Sequence, residues 1–243
     1  MTTRPRPAFY ALAPRGWRDF VTLLHPPYTL WHLSYVAIGA ALAPVFRGDR
    51  LLATIAAFFL AVGIGAHALD ELNGRQLRTE IPSLLLWLLA WGSIAAAVAI
   101  GIAGAAAFDL WLLAFVAVGA VLVVVYNLEL LGGVLHNDAT FALAWGAFPL
   151  LTGYFASAGR LTPEVGLAAA FAACLSLAQR RLSTPARTLR RRVTRVSGTL
   201  DLSDGRTAPI TSETFLGPTE GALRALTAAI VSLAAALVVL RLA

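Results

Sequence analysis

The hydrophobic pattern divides the chain into long apolar runs separated by short polar clusters. Runs at about 29–46, 51–72, 83–106, 108–128, 138–157, 164–181 and 222–242 predict seven membrane-spanning helices. Each holds enough apolar residues to cross roughly 30 Å of hydrocarbon at about 1.5 Å per residue, the first and sixth being short. The boundary between the third and fourth rests on Gly101, Gly104 and Phe108-Asp109. Ahead of them Trp17, Phe20, Val21 and Leu24 fall at helical spacing beside Arg15 and Arg18, which predicts a short helix lying on the membrane surface. His25-Pro26-Pro27 ends that helix and turns the chain into the bilayer.

The pattern therefore predicts an all-α fold, a polytopic transmembrane bundle of about seven spanning helices. Residues 1–28 form a mobile N-terminus and the interfacial helix, 29–182 the main bundle, 183–221 a basic loop, and 222–243 a C-terminal span. Within the loop, Asp204-Gly205 between short alternating runs predicts a β-hairpin.

Composition agrees. Hydrophobic residues make up 58% and charged residues 13%, against roughly 25% charged in a soluble domain. The positive charge is all arginine, and its placement sets a topology. With the N-terminus inside, fifteen of the nineteen arginines fall on cytoplasmic segments, leaving Arg47, Arg50, Arg160 and Arg241 outside. Arginines distributed in this way argue for membrane orientation and against a nucleic-acid partner. The single cysteine, Cys174, excludes an intramolecular disulfide and a cysteine metal site.

Two polar clusters interrupt the apolar runs on the predicted cytoplasmic side. The first is GIGAHALDELNGRQLRTEIP, residues 63–82. A continuous helix there puts His67, Asp70, Glu71, Gly74 and Arg78 on one face, with Asn73 and Arg75 beside them. A charge at membrane depth costs roughly 2.5–3.5 kcal/mol, which marks a functional site; the ordinary alternative is a solvated helix end. The second cluster holds Tyr126, Asn127, Glu129, His136, Asn137 and Asp138. Oxygen ligands from Asp70, Glu71 or Asn73 and from Glu129 or Asp138 would suit Mg²⁺. His25 and His32, seven apart, predict a shared helix face, and each lone histidine favours a hydrogen-bonded structural role. A P-loop, a dinucleotide fingerprint and a serine triad are absent.

The order of these features resembles the UbiA superfamily of intramembrane prenyltransferases. HPPYTLWHLSYVAIGAAL is similar to that family's Pro-containing lead-in and first helix, and AHALDELNGRQLRTEIP to its Asp-rich motif at the end of the second. VYNLELLGGVLHNDATFALAWGAFPLLTGYFA is similar to its passage from the fourth helix to the fifth. The likeness covers residues 17–195. It implies a multi-pass protein of a bacterial or archaeal cell membrane that binds an isoprenoid diphosphate with Mg²⁺ and transfers the prenyl group to an acceptor. By that resemblance Asp70 and Glu71 are the catalytic candidates, and Asp70, Glu129 and Asp138 the metal ligands. Asn73, Arg78, Tyr126, Arg180 and Arg181 are then the substrate-binding candidates. The sequence departs from the family in two places. Ala66 and Gly74 flank Asp70 where the strict motif has polar residues, and the sixth run closes on SLAQRRLSTPARTLRRR without a carboxylate. Gln179, Arg180, Arg181 and Arg187 would then bind diphosphate directly. The competing expectation is a membrane protein without catalysis, a lipid-binding subunit or small transporter.

Overall fold

The structure is a computed structural model, and it describes residues 6–243. Seven helical rods run back and forth, so that His25, Asp70, Asn127 and Arg191 come to one end and Arg50, Phe108 and Gly159 to the other. After a surface helix α1 (Trp17–Leu23) come α2 (Pro26–Leu42), α3 (Gly48–Leu72) and α4 (Ser83–Ala107). They are followed by α5 (Leu112–Asn127), α6 (Asp138–Ala158), α7 (Pro163–Arg192) and α8 (Ser212–Leu242). Five of these, α3, α4, α6, α7 and α8, are long and apolar enough to cross a membrane.

Each rod starts and stops for a local reason. Pro26 and Pro27 occupy the first turn of α2, where a missing amide hydrogen costs nothing. Asn137 caps α6 by accepting from the Thr140 amide at 2.9 Å. Gly159, at φ 67°, ends α6 in the left-handed conformation that a side chain resists. Thr211 and Thr214 form a capping box at the start of α8.

The central rod is α2, apolar around most of its circumference and packed between α6 and α8. Its contact with α6 depends on two glycines that face the partner backbone. A Cβ at Gly39 would strike the Leu150 carbonyl, and one at Gly153 the Val36 carbonyl. Helices without a hydrophobic drive to associate in lipid gain from such close approach. Trp31, Tyr35, Leu150 and Ala172 centre one buried cluster; Leu69, Leu86 and Val123 centre a second, between α3, α4 and α5.

Several expectations are corrected. The 183–221 segment is mostly helix, because α7 continues through Pro185 to Arg192 and α8 begins at Ser212 and passes through Pro218. What lies between includes the expected hairpin, with β1 (Thr199–Asp201) antiparallel to β2 (Thr207–Pro209) and Gly205 at φ 82° in its turn. Of the segment expected to be mobile, residues 1–5 lie outside the described residues, while 7–12 pack down. Ala8 and Ala11 are buried against Leu77, and Leu12 donates its amide to Thr22 Oγ1 at 3.0 Å.

Candidate functional site

The helix that carries Asp70 is not regular. Phe59–Ala66 is π-helical, and the wider turn rotates the last α-helical stretch, His67–Leu72, inward. The helix then stops. Gly74, Arg75 and Arg78 all have positive φ, at 103°, 51° and 57°. Gly74 and Arg78 therefore leave the face on which a continuous helix would have placed them.

Asp70 and Glu71, adjacent in sequence, have different surroundings. Glu71 is fully buried and accepts from the Leu77 amide at 2.7 Å, the Thr79 amide at 2.8 Å and the Thr79 hydroxyl at 2.8 Å. It pins the 73–81 loop. Asp70 is half-buried, and among the described residues its carboxylate has no hydrogen-bond or ion-pair partner. Arg187 and Arg191 of α7 lie within electrostatic range of it, as does Glu129.

Around Asp70 stands an aromatic and imidazole wall. His25 stacks on His67 with ring centroids 4.0 Å apart and planes 8° from parallel. The Tyr10 hydroxyl shares a 2.9 Å hydrogen bond with His25 Nδ1. Burial lowers the His25 imidazole well below its ordinary range, and the nearby His67 and arginines add to the effect. Burial raises the Tyr10 phenol. His67 Nδ1 donates to the Gly63 carbonyl at 3.1 Å and His32 Nδ1 to the Trp145 carbonyl at 2.8 Å, which leaves Nε2 of each ring as an acceptor. His25 sits before α2 at φ 45°, so its ring meets α3 instead of sharing a helix face with His32.

The second cluster lies alongside. Arg180 donates to Asp138 Oδ1 at 2.7 Å and to the Tyr126 hydroxyl, and its guanidinium lies 5.0 Å from the centre of the Phe141 ring. Tyr126 stacks on His136 at 4.6 Å. Glu129 is exposed and 3.7 Å from His136 Nδ1; Arg181 is exposed and 4.0 Å from Asp138 Oδ2. Asn73 donates to the Asn127 carbonyl at 3.3 Å, and Arg78 to the Arg191 carbonyl at 3.3 Å. The structure thus brings Asp70, Tyr126 and Arg180 into one neighbourhood and puts Asn73 and Arg78 at its rim. Glu71 and Asp138 are engaged elsewhere, and among the described residues no three His, Cys, Asp or Glu side chains converge as metal ligands.

Tyr10 was not singled out from the sequence, and Arg191 only as one of a basic run. A signal was there to be read. Gln179, Ser183, Arg187 and Arg191 recur every four residues and form one polar stripe on α7. Gln179 is 4% exposed, and its Oε1 is a buried acceptor with no partner among the described residues. An amide oxygen buried without a donor calls for a ligand or a water to supply one.

On the other side of Trp145 lies a cavity of about 160 Å³ between α3, α4, α5 and α6. It runs from Arg50 and Phe108 inward to Val62, Val123 and Trp145. Asp70 is not among its walls. Trp145 stands between that cavity and the Asp70 side, edge-on to Tyr126 at 5.6 Å and tilted against His32 at 6.1 Å.

Fold and site together define a mostly helical protein with a small hairpin, rich in helices fit to cross a membrane, with a polar cluster at one end. Comparison with protein families, with curated proteins and with solved structures finds no match to this chain.

Proposed function

We propose that this is a seven-span membrane protein, N-terminus cytoplasmic, that binds an isoprenoid diphosphate in the chamber around Asp70. The observation that carries the reading is a half-buried carboxylate without a contact partner, with Arg187 and Arg191 within electrostatic range and the stacked His25 and His67 beside it. Arginine forks match phosphate oxygens. The two guanidiniums hold the diphosphate, Arg180 reaches it beside Tyr126, and the prenyl chain lies against Tyr126 and Trp145. Orientation follows the arginine bias, which puts the chamber on the cytoplasmic side.

The donor set is a poor cage for Mg²⁺, since Glu71 and Asp138 are occupied. Asp70, with the exposed Glu129 in electrostatic range, is left to meet a cation carried in with the ligand. In a prenyl transfer the allylic C–O bond breaks, diphosphate leaves with the electron pair, and the arginines neutralise its charge. The aromatic faces of Tyr126 and Trp145 stabilise the cation until an acceptor attacks. A non-catalytic, lipid-binding role is favoured by the engagement of Glu71 and Asp138 away from Asp70.

The test is thermal stability in detergent with geranylgeranyl diphosphate, with and without Mg²⁺. A saturating rise is expected, about 2.7 kcal/mol at a hundredfold excess over Kd. Arg187→Gln should reduce it with or without metal, and Asp70→Asn only with Mg²⁺. No shift with any chain length would end the diphosphate reading, and binding without turnover would select the non-catalytic one.

A further inference from the structure

The apolar cavity beyond Trp145 has a charge of its own at the end farthest from Asp70. Arg50 is its one charged wall residue. The guanidinium is held by the Ala156 carbonyl at 3.2 Å and lies 3.4 Å from the centre of the Phe108 ring. Among the described residues no carboxylate pairs with it; Asp49 is 3.8 Å from Arg47 instead. Its position is fixed, and no carboxylate touches it among the described residues.

The remaining walls offer nothing to water. The two hydroxyls there are satisfied within their own helices, Thr54 donating to the Arg50 carbonyl and Thr152 to the Phe148 carbonyl, each at 2.7 Å. An apolar cavity lined this way stays dry. This one is drawn out: Arg50 and Val62 both line it and stand twelve residues apart on α3, about 18 Å along the helix. Phe115, Val116 and Gly119 on its rim are half-exposed, so it opens sideways between helices.

We propose that this slot is a binding site for a long-chain fatty acid. Its carboxylate pairs with Arg50 and its chain runs inward to Trp145. The site is separate from the diphosphate chamber and does not depend on that reading.

Trp145, at the blind end, supplies the assay. Dibromostearic acid quenches tryptophan on contact, and its methyl ester is the neutral control. In detergent-solubilised protein the acid should quench a saturable component that disappears in Trp145→Phe. Arg50→Gln should weaken binding about tenfold, the loss of one charge-assisted pair, whereas Arg47→Gln should not. Gly104→Leu should abolish it, since a side chain there enters open space in the slot. Equal binding of acid and ester to the wild type would overturn the proposal without recourse to any variant. So would quenching unchanged by Arg50→Gln and Gly104→Leu. Loss of the geranylgeranyl diphosphate response in Gly104→Leu, with a short-chain diphosphate still bound, would assign the slot to the prenyl chain instead.

Discussion

At the scale of single residues, Asp70 and Glu71 show how little a carboxylate's sequence position says about its task. One is left without a contact partner, with Arg187 and Arg191 in electrostatic range; the other turns to the loop and satisfies two amides and a hydroxyl. Removing the second leaves buried donors unpaired, at about 1–3 kcal/mol each. Glu71→Ala should therefore lower the unfolding temperature strongly in the absence of any ligand, whereas Asp70→Ala should leave it near that of wild type. Thermal unfolding of both proteins in one detergent checks this. Equal melting would mean that Glu71 is not a structural anchor. The sequence singled out both residues because both are charges near the end of an apolar run. It was silent on their division of labour, which follows from the π-helical segment and from the positive-φ residues beyond Asn73. A π turn is a property of side-chain packing around Gly63 and Gly65 and leaves no periodic mark in the pattern.

At the scale of elements, the seven rods were legible because apolar runs report burial or lipid directly. Helix ends were less so. The arginines from Arg187 to Arg195 were read as loop, yet α7 continues to Arg192 and is tied to α8 by Arg190 and the buried Glu220 at 2.7 Å. Charge signals departure from the bilayer, not the end of the helix. Helix-to-helix fit was legible only as scattered glycines. Gly39→Leu or Gly153→Leu would force α2 from α6, since the obstacle in each case is backbone that cannot rotate away. Overpacking of this kind costs about 1–3 kcal/mol or more. Gly166→Ala, where a Cβ meets nothing within 4 Å, should be neutral or stabilise by up to about 1 kcal/mol. Unfolding temperatures should rank the three accordingly, and a tolerated Gly39→Leu would contradict the α2–α6 contact.

At the scale of the whole molecule, the two ends of the bundle differ in kind, one gathering His25, Asp70 and Arg191 and the other Arg50 and Phe108. Two rods fall short of the length expected for a span: α2 with 17 residues and α5 with 16, about 26 Å and 24 Å against roughly 30 Å of hydrocarbon. Mismatch of a few ångströms is met by local thinning of the bilayer, and the alternation of neighbouring rods requires both to cross if the others do. The hairpin turn at Arg206 and the α6–α7 turn at Arg160 must then lie on opposite sides of the membrane. With Cys174 replaced by serine, a cysteine introduced at position 160 should react with an impermeant thiol reagent in intact cells, and one at position 206 only after the membrane is opened. The reverse pattern would invert the molecule and turn the Asp70 chamber outward, away from any cytoplasmic diphosphate. Reaction of both from one side would mean that α7, the one rod between them, fails to cross.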